Sequence, residues 1–350
     1  METVPIAGYS DKLSGRPGDK INFMVSSEHK SDFTAQLFRS VSADPNPKGQ
    51  GIVEYACDDF FPKQTFSSRE QKFYPGSYGI TEQMLKMSAD DSIRFSVTVY
   101  PTLKTSNHQT LMEFGRFCLT LDPEGHPSFS FGSETVTTVD AVSMRRWQRV
   151  EAQINKTGLM SIELINLDNS KGSKPAFFQL DVAWDLNEQA CVIIAAQRVK
   201  GSTKNCFNGK IERPEIYADE QSIAVWDFSK NTSSLSVPGI GCPDLMLINA
   251  PTRAVTGAMW DASEMNWQHK PEHYAAIAFH EDDIYDFNWG ADFSFVIPPK
   301  MPSGIYIMRI SCQDDYDAIP FFVCPEKGQP SARLCVCLLY TSPSPRDRSI

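Results

Sequence analysis

Apolar residues recur at every second position in several short segments, and this period restricts the possible folds more than any other feature of the chain. It is clearest in Lys20–Val25, Thr34–Arg39, Ser92–Val99 and Gly158–Leu164. Alternation of this kind places one side of an extended strand in a core. No window carries a helical apolar stripe longer than about two turns, and only Thr81–Met87 allows a short helical turn. Turn residues separate the segments, so the pattern predicts an all-β protein built from sandwiches.

Charge and hydropathy exclude several classes of protein. The 350 residues contain 43 acidic and 33 basic side chains, with a net charge of −10. Such a chain cannot neutralise a row of phosphates, so we expect no nucleic-acid partner and no anionic membrane surface. The N-terminal residues form no signal-peptide pattern, and no uninterrupted apolar run reaches the length of a membrane span. We therefore expect a cytoplasmic protein without membrane attachment.

The cysteines predict reduced thiols rather than a disulfide framework or a zinc site. Nine cysteines occur at irregular intervals, an odd number for a secreted disulfide scaffold. Cys335 and Cys337 could form half of a metal site, but no second pair with metal-ligand spacing exists.

Residues 75–235 contain an ordered set of segments that resembles a known jelly roll. The segments are Arg146–Ala152, Gly158–Leu164 and Cys206–Tyr217, followed by Trp226–Phe228 as a last strand. Their order is similar to that of laminin-G or concanavalin-like modules. The resemblance implies a jelly roll that could bind carbohydrate or protein.

The segment Cys206–Tyr217 makes local predictions that a structure can test. We expect Phe207 and Ile211 to lie in one core, with Ile216 also directed inward. Gly209 should occupy a turn or bulge that requires permissive backbone angles, and Pro214 should lie at a bulge or edge.

The segments on either side of this module resemble a second family. They are Ile6–Ser14, Arg16–Ser26, Tyr274–Asp286, Pro302–Ile310 and Ile319–Pro325. Together they are similar to the large (β) subunit of N,N-dimethylformamidase. The resemblance implies an Ig-like outer sandwich formed by residues 1–74 and 236–328 and interrupted by the jelly roll. Strands near 20–27 and 34–41 should then pair with strands near 292–298 and 304–311.

The same resemblance implies an enzyme whose active site lies elsewhere. Members of the family hydrolyse a small amide to a carboxylate and an amine at an iron held by tyrosine and carboxylate side chains in an α/β domain. Residues 329–336 would be the first strand of that domain, and residues 337–350 resemble a translated sequencing adapter. We therefore expect a truncated chain with no catalytic, cofactor-binding or metal-binding residue in 1–336. Its expected partners are the missing C-terminal catalytic domain, a possible small subunit and a second copy of the chain.

Local clusters of reactive side chains offer alternatives to this view. His269, His273 and His280 could bind a metal with the acidic run 281–283, although Pro271 prevents the helical spacing that such a pair needs. An acidic turn explains these residues better, and Tyr285, Trp289 and Asp292 read as core and turn.

Catalytic and ligand-binding motifs of other kinds are weak or missing. The sequence contains no G-x-S-x-G elbow, and the isolated Gly49–Gly51 loop cannot cradle phosphate. Calcium would need loop aspartates, for which the chain offers Asp122, Asp140, Asp168 and Asp181, but solvated turns explain them better. If the jelly roll bound a sugar, Trp184 and Phe177 could stack on it, whereas packing between sheets is the more ordinary role for such rings.

Overall fold

The chain forms two compact units in a computed structural model that describes residues 5–168, 174–180, 187–199 and 202–329. One unit, here called the split unit, comprises residues 1–73 and 288–350, and the other, the inserted unit, comprises residues 74–287. Except for Gln329, the predicted strand 329–336 and the predicted tail 337–350 lie outside the described residues.

Strands account for the regular structure of the split unit. Its described strands are β1 (Ile6–Ser10), β2 (Ser14–Gly15), β3 (Lys20–Ser27), β4 (Phe33–Ala43), β5 (Ile52–Ala56) and β6 (Gln64–Phe66), followed after the inserted unit by β28 (Phe293–Val296), β29 (Gly304–Cys312) and β30 (Asp315–Val323).

The two halves of the split unit pair with each other, as the sequence predicts. Strand β3 pairs antiparallel with β28, with Phe23 opposite Phe293. Strand β4 pairs antiparallel with β29, with Leu37 opposite Met308. One sheet has the order β1-β3-β28, and the other has the order β2-β30-β29-β4-β5 with β6 beside β4. The pairing of strands near 20–27 and 34–41 with those near 292–298 and 304–311 is confirmed.

A shared aromatic core joins these two sheets into a sandwich. Phe23 of the smaller sheet is fully buried and stacks on Phe293, with ring centroids 5.0 Å apart. It also meets the edge of Phe321 from the larger sheet at 5.8 Å. Rings that interlock across two sheets exclude water and stabilise the unit through both burial and ring geometry.

The inserted unit is also built from strands. Its described strands are β7 (Tyr78–Thr81), β8 (Leu85–Ser88), β9 (Ser92–Pro101), β10 (Gln109–Phe114), β11 (Phe117–Leu121), β12 (Pro127–Phe131), β13 (Glu134–Thr137), β14 (Gln148–Asn155), β15 (Leu159–Asn166), β16 (Ala176–Gln179), β17 (Asn187–Ala190), β18 (Val192–Ile194), β19 (Gln197–Val199), β20 (Ser202–Lys204), β21 (Gly209–Ala218), β22 (Gln221–Trp226), β23 (Ser236–Val237), β24 (Gly239–Ile240), β25 (Leu245–Ile248), β26 (Thr252–Val255) and β27 (Ala276–Phe279).

Two large antiparallel sheets of the inserted unit enclose one core. The first has the order β13-β12-β11-β10-β18-β7-β25-β23, and the second has the order β16-β15-β14-β9-β21-β22-β24 with β26 and β27 beside β21. Phe95, Phe117 and Phe129 meet between the sheets, with Phe95 5.3 Å from Phe117 and 5.6 Å from Phe129 between ring centroids. The predicted all-β sandwich architecture is confirmed.

The structure corrects the second boundary of the inserted unit. The sequence assigns residues 236–287 to the outer sandwich, but β25 pairs with β7 and β27 pairs with β21. Both partners lie in the inserted unit, so the chain returns to the split unit at Asn288. The four residues of β27 are all buried because β21 and β26 flank the strand. Such a uniformly apolar run carries no alternation that could assign it to one sheet.

The geometry of β21 explains the positions of Gly209 and Pro214. Phe207, Ile211 and Ile216 are fully buried, as predicted. Gly209 begins the strand rather than occupying a turn or bulge, with φ of 154°, and a Cβ there would lie 2.4 Å from the carbonyl oxygen of Tyr100. Pro214 lies in a bulge opposite β9, where the lack of an N–H costs no ladder bond.

Helical structure is scarce in the described residues. The helical turn allowed near 81–87 is wrong, since Leu85–Ser88 forms β8 and pairs with β17. The described residues form one helix, a 3-10 helix at Pro271–Tyr274. None of the described residues form a helix with the length and apolar character needed to cross a membrane.

Candidate functional site

The outer face of β10–β13 forms a polar groove of about 720 Å³ in the inserted unit. Inward-pointing residues such as Phe114, Leu119 and Phe129 are buried, so the alternate residues face outward. The groove is lined by Glu113, Cys118, Thr120, Asp122, Ser128, Ser130, Thr135 and Thr137, with His108, Arg116, Gln197, Arg198 and Asn205 also contributing. Its volume is within the range of small-molecule sites.

Glu113 is the unusual titratable group of this groove. Burial raises the pKa of its carboxyl, opposed by the backbone N–H of Arg198. Its Oε2 atom is shielded from solvent and has no hydrogen-bond partner among the described residues. Cys118 lies directly opposite on β11, where burial raises the pKa of the thiol to about 12 and the charge of Glu113 acts in the same direction. Both groups therefore favour their neutral forms more than they would in water.

Hydroxyl pairs and ion pairs occupy much of the remaining groove. Ser128 and Thr137 lie 2.9 Å apart between their hydroxyl oxygens, and Ser130 and Thr135 form an equivalent pair. Arg116 Nε donates to Glu188 Oε2 at 2.9 Å, which commits that cation to a nearby carboxylate. The groove can therefore offer hydrogen bonds, but Arg116 is already paired with Glu188.

The loop aspartates considered for calcium are dispersed. Burial opposes ionisation of Asp122, but the amide and ring of His126 outweigh it and lower the pKa of Asp122. Asp168 accepts from Arg146 Nη1 at 2.8 Å, and Asp140 is exposed. Asp181 lies outside the described residues. Across the described ranges, no three His, Cys, Asp or Glu side chains are grouped so as to hold a metal ion.

The candidate aromatic residues do not form a sugar platform in the groove. Phe177 is exposed on the edge strand β16, so its expected packing between the sheets is wrong. Trp184 lies outside the described residues. The groove lining contains no phenylalanine, tyrosine or tryptophan.

In the histidine segment, His269 precedes the 3-10 helix Pro271–Tyr274 and His273 lies within it. The His269 side chain is 65% exposed, and its Nδ1 lies 3.2 Å from Glu264 Oε2. The His273 side chain is only 4% exposed and lies 3.4 Å from Asp261 through Nδ1. Hydrogen bonds from the Ser263 side chain and backbone lower the pKa of Asp261 to about 2. His269 is thus solvated and His273 buried, and each lies beside a carboxylate of a nearby turn.

The acidic run after β27 also forms a turn. The hydroxyl of buried Ser77 donates to Asp283 Oδ2 at 2.6 Å, and the His280 amide donates to Ser77 Oγ at 3.1 Å. Burial raises the pKa of Asp283 despite the Ser77 hydrogen bond. Glu281 and Asp282 are exposed. This geometry fits the predicted acidic turn better than a metal site.

The region from Tyr285 to Asp292 is divided between the two units. Tyr285 belongs to the inserted unit and is 78% exposed in a bend, which fits the turn part of the predicted core and turn. Asp292 belongs to the split unit, where it accepts from the Val25 amide and from Arg69 Nε, both at 2.7 Å. Trp289 contacts Tyr9 with ring centroids 5.5 Å apart. These contacts give Asp292 and Trp289 structural roles.

Sequence reasoning missed Glu113 and its groove. Part of the signal was present in the alternation of β11–β13, which places Cys118, Ser128 and Thr135 on the polar side of successive strands, whereas β10 is buried at its first four positions and gives Glu113 no such signal. Placing these residues on one face requires the register of the three hairpins that connect β10 to β13. Register follows from pairing rather than from any one strand.

The raised pKa of Glu113 predicts a specific pH dependence of stability. A carboxyl that binds its proton more tightly when folded stabilises the fold below its unfolded pKa of about 4.3, and this contribution is lost as pH rises through the folded pKa. The Glu113→Gln variant has no carboxyl at this position, so its stability does not change with pH through this group. We expect its free energy of unfolding, relative to wild type, to increase from pH 4 toward neutrality in urea titrations.

A matched variant controls for the loss of one negative charge. Glu134→Gln makes the same change at an exposed position on β13. If the Glu113→Gln difference stays flat with pH, or falls as pH rises, then burial does not control this carboxyl.

The comparisons with known proteins agree on one family. Residues 252–342 match the family model described as "N,N-dimethylformamidase beta subunit-like, C-terminal". The chain is 29% identical over 395 aligned positions to the N,N-dimethylformamidase beta subunit of Paracoccus aminophilus, covering 96% of this chain and 51% of that protein. The corresponding protein of Alcaligenes sp. is 26% identical, with 96% and 51% covered.

Among solved structures, the chain is similar to the heptameric SAP-like pentraxin of Limulus polyphemus. The TM-score is 0.31 at 11% identity, and the match covers 54% of this chain and 76% of that one.

The fold defines the class of protein, and the sequence comparisons show which family the chain resembles. The chain is an all-β protein in which one sandwich is interrupted in sequence by a second, larger one. It is similar to N,N-dimethylformamidase beta subunits along 96% of its length, and residues 252–342 match the corresponding family model. It spans about half the length of the curated relatives it matches. The family match ends at residue 342, inside the segment 337–350 that resembles an adapter.

Proposed function

We propose that this chain is the β-rich scaffold region of an amidohydrolase that resembles N,N-dimethylformamidase. The whole protein would hydrolyse a small amide to a carboxylate and an amine. The observation that carries this proposal is the similarity to two N,N-dimethylformamidase beta subunits across 96% of the chain. About half of each relative lies outside the match, and we place the catalytic centre there.

Iron is the metal that the family resemblance implies. The described residues contain no group of three His, Cys, Asp or Glu side chains suited to a metal. The strongest cluster by sequence is divided between exposed His269 and buried His273. We propose that the iron ligands lie in the half of the relatives that the match does not cover.

The scaffold role is supported by how the reactive side chains are used. Asp292 links two segments of the split unit by accepting hydrogen bonds from the Val25 amide and from Arg69. The hydrogen bond from Ser77 to Asp283 stabilises the turn after β27 in the inserted unit. Carboxylates held in this way position backbone rather than substrate. We propose that the region supports the catalytic domain and contributes to association with a small subunit or a second copy.

Carbohydrate binding without catalysis is the rival function, and the groove does not favour it. Sugar recognition commonly uses an aromatic face beside hydrogen-bonding groups. The groove of β10–β13 supplies hydroxyls but no aromatic side chain. Exposed Phe177 lies on β16, which belongs to the other sheet.

Metal content and hydrolysis by the isolated chain test the proposal. We expect the purified 350-residue chain to bind no stoichiometric iron and to release no amine from simple formamides, because a metal-assisted hydrolysis needs a complete site. The full-length Paracoccus aminophilus beta subunit, assayed beside it with its partner subunits, serves as the positive reference.

Two results would contradict the proposed function. One-to-one iron binding by residues 1–336 would move the metal site into this chain. So would amide turnover that disappears when His269, His273 and His280 are each changed to alanine.

A further inference from the structure

The outer face of the larger sheet in the split unit is unusually apolar. On β29 the outward residues Ile305 and Ile307 alternate with buried Tyr306 and Met308. On β30 the outward positions carry Tyr316, Ala318, Pro320 and Phe322, which alternate with buried Ile319 and Phe321. An antiparallel sheet with one solvated face normally has polar residues at such positions.

The strand register makes these residues one continuous patch. Ile305 lies opposite Phe322, and Ile307 lies opposite Pro320. On the other side of β29, Ile307 lies opposite Phe38 of β4. We call the surface formed by Phe38, Ile305, Ile307, Pro320 and Phe322 the β29 face. Directly paired side chains in a sheet lie about 5 Å apart, so the members of the β29 face touch or nearly touch.

The β29 face is partly accessible to solvent. Ile305 is 47% exposed and Pro320 is also exposed, whereas Phe38, Ile307 and Phe322 are half-buried. The Arg309 guanidinium lies over the Phe38 ring at 4.5 Å and pairs with Glu54. A charged, paired arginine beside a continuous apolar area is typical of the polar rim around a protein interface.

The length of the relatives offers an occupant for this face. They are about twice as long as the matched region, and the segment of the family model extends through β29 and β30 to residue 342. We infer that the β29 face is the docking surface for the domain that forms the remaining half of the family's polypeptide. This inference rests on the proposed function, since it treats the chain as the scaffold of that domain.

Thermal unfolding of two proteins, each with the same two substitutions, tests the inference. Ile305→Lys places a charge on the β29 face, whereas Ile240→Lys makes the same change at a site on β24 that is 58% exposed. In the 350-residue chain we expect both variants to melt within about 2 °C of wild type, because both sites are open to water. In the full-length Paracoccus aminophilus beta subunit, lysine at the residue aligned with Ile305 should lower the midpoint by at least about 4 °C, since the charge would be buried unpaired. Lysine aligned with Ile240 should leave it within about 2 °C.

Every other outcome overturns the docking surface. Equal, small shifts for both lysines in the full-length relative would show that no domain covers the face. A large shift for Ile305→Lys in the 350-residue chain would make this residue part of its own core. A dimer of the 350-residue chain in sedimentation experiments that Ile305→Lys dissociates would make a second copy the occupant. These readouts do not depend on iron or turnover, so they are separate from a failure of the proposed function.

Discussion

Removing residues 74–287 and joining Phe73 to Asn288 through a short linker is expected to leave a soluble, cooperatively melting sandwich. All strand partners that the structure describes for the split unit lie outside the deleted range. The ends also lie close together, because the Phe73 and Trp289 ring centroids are 6.2 Å apart and Trp289 Nε1 donates to the Lys72 carbonyl at 3.3 Å. Insertions are tolerated at such exposed, adjacent ends. Size-exclusion chromatography and a thermal melt followed by near-UV circular dichroism measure the result.

The matched deletion of residues 75–235 should fail. It would leave β25 and β27 in the product while removing their partners β7 and β21. The apolar β27 would then have no neighbouring strand from β21 to bury it, which favours aggregation. An equally well-folded product from both deletions would show that residues 236–287 do not depend on the inserted unit. An unfolded product from the first deletion would show that the split unit needs its insertion.

Phe207→Ala is expected to destabilise the inserted unit by about 3–5 kcal/mol, because it leaves a cavity in a closely packed core. Phe207 is fully buried within the main cluster of this unit. Its amide donates to the Ala195 carbonyl at 2.8 Å, and its ring lies against the backbone position of Gly209. These constraints limit how far the surroundings can collapse into the space. Denaturant titration monitored by signals from the inserted unit measures the loss.

Phe177→Ala is the control for this substitution. It makes the same chemical change at a side chain that is 63% exposed, so its cost should stay below about 0.5 kcal/mol. A loss of less than about 1 kcal/mol for Phe207→Ala would mean that the cavity is filled by relaxation or that the ring contributes little packing.

The candidate site shows where sequence patterns stop being informative. The histidine cluster was conspicuous because histidine and carboxylates stand close in sequence, but His269 is exposed before the 3-10 helix, whereas His273 is buried within it. Glu113 was inconspicuous because one glutamate among apolar residues has no motif. Its raised pKa comes from burial on the outer face of β10, where Cys118 of β11 lies opposite. Desolvation depends on all neighbours in space, so it could not be predicted from the segment alone.

The sequence by itself determined the strands with a clear period and the pairing suggested by family resemblance. Strand β14 alternates buried and half-buried residues along its whole length, so its inward face follows from its residues alone. The tertiary structure decided the return of the chain at Asn288, the groove around Glu113 and the β29 face. Strand β27 is buried at every position, and β29 carries apolar residues on both sides, so neither pattern identifies a neighbour. Periodicity reports which side of a strand is buried, whereas the partner that buries it is set by contacts between residues far apart in the chain.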